Sequence, residues 1–241
     1  MLFLNRISTR QKKINAWMRG IKRARASRRI NFFLKRSRGV IHIGASSGQE
    51  RDLYAEHNLK VLWLEPIPGV FDQLVENIRG YANQRALQAL LLDQDDVEVA
   101  LHIASNSGKS SSVLPMKDHK RMWPHVHYDG QLSMRSTTLD TLIRRESVDE
   151  RSYDTIVMDT QGSELRVLMG ARSTLQGITY VKVEAADFES YEGGCTVEDL
   201  SAFFGEAGFV EERRQCFSSM PGVGSYFDLV FRRLDKAQQP T

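Results

Sequence analysis

The tightest constraint on the fold lies around residue 44. Gly39-Val-Ile-His-Ile43 is an apolar run that passes into Gly44-Ala-Ser-Ser-Gly48. Residues 49–57 are polar and helix-compatible, and Lys60-Val-Leu-Trp-Leu64 is a second apolar run, closed by Glu65. A strand that hands over to a helix through small residues lets the backbone come close to a ligand, with the unpaired N–H groups of the helix start nearby. Glu65 falls seventeen residues past Gly48, at a strand end where a carboxylate can take both hydroxyls of a ribose. Strand, glycine turn, helix, strand and acid form a nucleoside-cofactor constellation.

Further along, Val70, Phe71, Leu74, Val75 and Ile78 repeat at helical spacing, and Ala86–Leu92 reads as a third strand. Such alternation predicts βαβ units around a mainly parallel, doubly wound sheet, an α/β fold. Val97–Ile103 alternates like a strand, and 105–112 (SNSGKSSS) is a polar loop. Residues 115–134 hold Pro115, Pro124, His119, His125 and His127 without periodicity and read as a long irregular insert. The histidines lack the further ligand and ordered spacing of a zinc site, so the insert reads as a flexible loop or a wall of an acceptor pocket. Beyond it, Leu139–Arg145 suits a helix and Thr155–Met158 a buried strand, and Ser163–Leu175 is helical with a break near Gly170. Ile178–Val183 is a strand, Val197–Ala207 a helix ended by Gly208, and Phe209–Glu212 and Ser225–Arg232 are the last strands.

Charge divides the chain. Of 33 Lys and Arg, thirteen fall within residues 1–38, where there is no Asp or Glu. All 30 acidic residues therefore sit in the remainder, against 20 basic ones. The reading is a basic N-terminal extension (1–38), an acidic domain (39–233) and a tail (234–241). Ile14, Trp17, Met18 and Ile21 form the stripe of an amphipathic helix flanked by Lys12, Lys13, Arg19, Lys22 and Arg23. Such a helix suits an anionic membrane surface, nucleic acid, or its own domain. Its Arg-rich composition is also that of a mitochondrial presequence, whereas no apolar secretory core or membrane span is present. Cys195 and Cys216 lie in no metal-ligand spacing and fit a reducing, cytoplasmic compartment. Oligomeric state is left open.

The cofactor class follows from the loop. A dinucleotide fingerprint asks for G-x-G-x-x-G. Here Ser46 takes the middle place, and the third falls at Gln49, beside Glu50 and Arg51. That disfavours a pyrophosphate, and with it the alternative of an NAD-dependent oxidoreductase. S-adenosylmethionine has a ribose but no phosphates, and needs the backbone approach and the acid that are present. A nucleic-acid-binding protein is the other alternative, but the acidic domain has no aromatic–basic interleaved face, so binding would rest on the extension alone.

Several segments then resemble one family. IHIGASSGQE (41–50), WLEPIPGVFDQL (63–74), SNSGKSSS (105–112), TTLDTL (137–142), MDTQGSELRVLMGA (158–171) and VKVEA (181–185) are similar, in this order, to FkbM-type methyltransferases. The resemblance implies S-adenosylmethionine-dependent O-methyl transfer on a Rossmann-like class I fold with a seven-stranded sheet. It further implies a sugar hydroxyl of a glycan or glycolipid as acceptor. Gly44, Ala45, Ser46 and Gly48 would line the methionine and ribose portion, and Glu65 would bind the ribose hydroxyls. Pro66 and Ile67 would border the adenine, Asp93 would bond its amino group, and Glu50 would sit near the methionine end. His42 stands where many members carry Asp, and reads as a strand-terminal histidine satisfied by hydrogen bonds.

Thr155–Met158 delivers Asp159 to a strand end, the place where ligands collect in open α/β sheets. Asp159 could take the proton of an acceptor hydroxyl, stabilise a sulfonium, orient the acceptor, or cap the helix that carries Glu164. Glu184 ends the next strand and could pair with Asp159 at the mouth of the site. No spacing specifies a metal.

Overall fold

The computed structural model describes residues 29–234. The amphipathic stripe at residues 14–21 and the tail from 235 onward lie outside the described residues. Ten strands follow in chain order: β1 Gly39–Ile43, β2 Lys60–Glu65, β3 Gln84–Gln88, β4 Leu90–Leu91, β5 Glu98–Ala104, β6 Tyr128–Thr137, β7 Thr155–Met158, β8 Tyr180–Ala186, β9 Phe209–Met220 and β10 Gly224–Arg233. Seven make one sheet in the order β3-β2-β1-β7-β8-β10-β9, and β4-β6-β5 make a smaller one. The pairs β3-β2, β2-β1, β1-β7 and β7-β8 are parallel, while β10 runs antiparallel to β8 and β9.

The parallel strands are short apolar runs because both of their faces are covered. Successive residues of β1 serve opposite layers. Ile41 and Ile43 join Leu62, Leu64, Ile156 and Met158 in one core, whereas Val40 joins Val61, Trp63, Tyr54 and Leu74 in the other. The helix Pro68–Ile78 turns Leu74 and Ile78 of the expected stripe inward, while Val75 is exposed. Helix Val197–Glu206 starts on a capping box formed by Thr196 and Asp199. The break expected near Gly170 lies between helices Glu164–Met169 and Arg172–Leu175. A Cβ there would come within 2.2 Å of the Leu92 carbonyl oxygen.

Four expectations need correction. The extension does not run to residue 38, because Ile30, Phe33 and Leu34 are buried in the second core. Phe33 stacks on Tyr180 at 5.8 Å, Ser37 Oγ lies 2.7 Å from Thr155 Oγ1, and the Arg38 N–H donates to Asp154 at 2.9 Å. Basic composition concealed an apolar Ile-x-x-Phe-Leu anchor. Next, the run 86–92 is split: β3 pairs with β2, and the chain then leaves the sheet edge so that Leu90 and Leu91 pair with Ser136 and Thr137.

The insert 115–134 is less irregular than expected. It contains the short helix His119–Met122 and much of β6, which pairs antiparallel with β5. One face of β6 is exposed and the other is only half-buried at Tyr128, Leu132 and Met134, with Gly130 interrupting the apolar alternation. Finally, β9 extends well beyond Glu212, largely exposed and held by its ladder to β10. Substituting Phe33→Ala should cost about 3–5 kcal/mol, the usual range for a fully buried Phe. Urea unfolding would show it as a lower midpoint with an unchanged slope.

Candidate functional site

The chain runs outward from β1 to β2 and β3, then returns to β7 on the other side of β1. The carboxyl ends of β1 and β7 therefore flank a topological switch point, where open α/β sheets take their ligands. Gly44 follows β1 with φ +73°, and a Cβ on it would sit 1.9 Å from the Asp159 carbonyl oxygen. No other residue fits there. The Leu64 carbonyl accepts from the N–H groups of both Gly44 and Ala45, at 3.0 and 3.1 Å.

Ser46, itself left-handed at φ 47°, donates its N–H to Glu65 Oε2 at 2.8 Å, and the Ile67 N–H donates to Oε1 at 3.0 Å. Glu65 is 4% exposed. Burial raises its pKa, opposed by the two N–H bonds. A carboxylate offers about four lone-pair sites, so two remain for a ligand.

A cavity of about 860 Å³ opens here. Gly44, Ala45, Ser46, Glu65, Pro66 and Ile67 line it, as do Asp159, Lys182, Glu184 and Asp228. Gly48 stands behind the wall, its α-carbon facing Leu74, where a Cβ would meet the side chain at 2.7 Å. Asp93 is not part of the wall. Its carboxylate accepts from Arg166 Nε at 2.9 Å, because the Leu92 N–H pairs with the Thr137 carbonyl and the chain turns toward helix Glu164–Met169.

At the acidic end, Asp159 lies deep in the protein with part of its surface open to the cavity. Its Oδ1 accepts from Gln161 Nε2 at 2.5 Å. Burial first, and then the charge of Glu164, raise its pKa to about 7. Glu184 is raised well above the usual carboxylate range by burial and by the charges of Asp159 and Asp228. Lys182 Nζ pairs with Asp228 Oδ1 at 2.9 Å. Asp228 is the cross-strand neighbour of Glu184, and Lys182 shares the face of Glu184 two residues earlier on β8. The arrangement can accept a proton near neutral pH beside a compensated ammonium.

Glu164 points elsewhere. Its carboxylate accepts the N–H groups of Thr160 and Gly162 and the Cys195 thiol, which shapes the turn after Asp159. His42 is buried, stacked on Trp63 at 4.8 Å with Nδ1 3.0 Å from the Tyr54 hydroxyl, and burial lowers its pKa to about 4. It is the hydrogen-bonded strand-end histidine the sequence suggested. Of the insert histidines, His119 is buried 2.8 Å from the Tyr226 hydroxyl, while His127 is exposed beside Asp129. Among the described residues no group of three or more His, Cys, Asp or Glu is placed to hold a metal ion.

A family model described as the methyltransferase FkbM domain matches residues 42–211. The chain belongs to this family. It is an S-adenosylmethionine-dependent methyltransferase on the Rossmann-like class I fold. This FkbM chain is 26% identical over 196 residues to the 2-O-methyltransferase NoeI of Sinorhizobium fredii (strain NBRC 101917 / NGR234), covering 76% of this chain and 79% of that protein. Its fold is similar to that of an uncharacterized protein from Listeria monocytogenes serotype 4b, at a TM-score of 0.52 and 10% identity over 88% of this chain and 68% of the other.

Sequence reasoning missed four parts of this FkbM cavity: Lys182, Asp228, the segment Ile30–Leu34, and Gln215–Phe217 of β9. Only Lys182 carried a signal, its period-2 relation to Glu184. Asp228 and Gln215–Phe217 reach the cavity through the ladders of β10, and Ile30–Leu34 through its packing in the second core.

Folded Asp159 keeps its proton up to about pH 7, against about 3.9 for an unfolded aspartate. Between those values the folded chain binds more protons than the unfolded one, so this group's contribution to stability falls as pH rises. Asp159→Asn should therefore be more resistant to urea than the parent at pH 8. The advantage should vanish at pH 4.

Proposed function

We propose that the protein transfers a methyl group to a sugar hydroxyl of a glycan or glycolipid, with Asp159 as the general base. The observation that carries this reading is one cavity with the ribose-type acid Glu65 at one end and the proton-accepting Asp159 at the other. The similarity to a 2-O-methyltransferase supports an oxygen acceptor. The sugar class rests on the family resemblance.

The residues present fit the donor. Glu65 has two oxygens already oriented by backbone N–H groups, with lone pairs left for the ribose hydroxyls. The glycine backbone at Gly44 leaves room for close approach by Ala45 and Ser46, and Pro66 and Ile67 give an apolar border for the adenine. Gly48 supports the loop from behind. Asp93, committed to Arg166, is left out of this assignment. When bound, the donor would supply a methyl group on a sulfonium sulfur, which would leave as a neutral thioether. Asp159 would take the proton of the acceptor hydroxyl. Glu184, sharing the local charge with Asp159, keeps this end acidic, and Lys182 with Asp228 limits the charge excess. Positioning and electrostatics supply most of the rate in such a displacement.

Glu65→Gln should weaken S-adenosylhomocysteine binding about 10–100-fold in calorimetry, the worth of a charge-assisted hydrogen bond. Asp159→Asn should keep that affinity and lose about 10²–10⁴ in turnover. In the parent, turnover should rise with pH through about 7 as Asp159 ionises. Labelled methyl transfer into fractionated cell extract, followed by mass, identifies the acceptor. Transfer to nitrogen, or wild-type turnover in Asp159→Asn, would sink the assignment.

No helix among the described residues is long and apolar enough to cross a membrane. The segment Ile30–Leu34 lines the cavity, and residues 1–28, which precede it in the chain, hold nine Lys and Arg and no Asp or Glu. An anionic membrane surface presenting lipid-linked glycans fits that charge. Removing residues 1–28, rather than 1–38 with its core anchor, should reduce sedimentation with phosphatidylglycerol vesicles. Methyl transfer to a small water-soluble acceptor should survive.

A further inference from the structure

The loop after β7 aims one side chain at Asp159 through a chain of hydrogen bonds. Gln161 has a left-handed backbone, φ 54°, and Gly162 follows at φ +98°. A Cβ on Gly162 would press on the Tyr191 ring at 3.1 Å, so this turn and Tyr191 are packed face to face. Ser112 Oγ holds the Gln161 carbonyl at 2.7 Å, and the Cys195 N–H holds that of Gly162 at 3.0 Å. The Gln161 amide is then bonded at both ends. Its Nε2 donates to Asp159 Oδ1 at 2.5 Å, and its Oε1 accepts from the Tyr191 hydroxyl at 2.5 Å. Tyr191 is 1% exposed and forms no part of the cavity wall.

An amide can face a carboxylate either way. With nitrogen toward Asp159 it donates to the ionised form. With oxygen toward Asp159 it repels that form and suits only the protonated acid. A phenol that donates to the amide oxygen selects the first orientation. We propose that Tyr191 is a positioning residue for methyl transfer: acting through Gln161, it holds Asp159 aimed at the cavity in its ionised, proton-accepting form. The proposal deepens the reading of Asp159 as base and rests on it.

Other charges around Asp159 are Glu164 on its helix and Lys182 and Glu184 on β8, and Asp228 on β10 faces Glu184. Tyr191 itself faces Tyr128, Tyr226 and His119. Tyr191→Phe removes one oxygen and leaves all of these groups in place. In a chain labelled with carboxyl-¹³C aspartate, the Asp159 resonance is assigned by its loss in Asp159→Asn. Its titration midpoint should move up by about half to one pH unit in Tyr191→Phe, the equivalent of one neutral hydrogen bond. Gln161→Met, which lacks the donor itself, should move it further the same way. Affinity for S-adenosylhomocysteine, set at the Glu65 end, should stay within about two-fold.

An unmoved midpoint in Tyr191→Phe overturns the proposal, also when Gln161→Met shifts it, since Tyr191 then only packs. Lost cofactor affinity with the midpoint in place overturns it as well. The titration needs no acceptor, so its outcome is separate from the turnover of Asp159→Asn, which tests the base role.

Discussion

Gly44 lies against the Asp159 main chain so closely that a Cβ would stand 1.9 Å from its carbonyl oxygen. Both halves of the site depend on that contact. It lets the ends of β1 and β7 stay paired up to the switch point, with the Asp159 N–H bonded to the Ile43 carbonyl at 3.1 Å. From one side of the contact the loop Ala45–Ser46 turns back to meet Glu65. From the other, Asp159 and the Gln161 turn enter the same cavity. Glu65 and Asp159 are thereby held at the two ends of one cavity by the paired strands of the sheet, and a displacement reaction depends on such positioning.

The acidic end has an electrostatic cost, because carboxylates gathered in a low-dielectric place oppose one another's ionisation. The fold limits that cost rather than removing it. Lys182 pairs with Asp228, Glu164 is directed into the backbone of its own turn, and the remaining tension falls on Asp159 and Glu184. Such tension is what brings a carboxylate into the range of a useful base near neutral pH.

How much was legible differs by element. The run Gly39–Glu65 was readable because each of its parts has a local cause: apolar strands buried on both faces, a left-handed glycine, and an acid at a strand end. Asp159 was readable for the same reason. Strands β6 and β9 were not, since neither buries a full apolar face: β6 is half-buried along one side only, and β9 is largely exposed and held by its hairpin ladder to β10. The anchor Ile30–Leu34 was hidden by the charges around it. Asp93 was misplaced because its position in sequence, just past a strand, says nothing about which way the chain turns to reach Arg166.

The sequence by itself determined the class of fold, the glycine loop with the strand-end acid Glu65, and the acid at the fourth parallel strand of the sheet. These depend on residue type and short spacing, which act within a few residues of the chain. Tertiary structure alone decided which acids share a cavity, that Lys182 answers Asp228, and that Tyr191 reaches Asp159 through Gln161. Those relations join residues as far apart in the chain as Glu65 and Asp228. They exist only once strand order and register bring the separate segments to one end of the sheet.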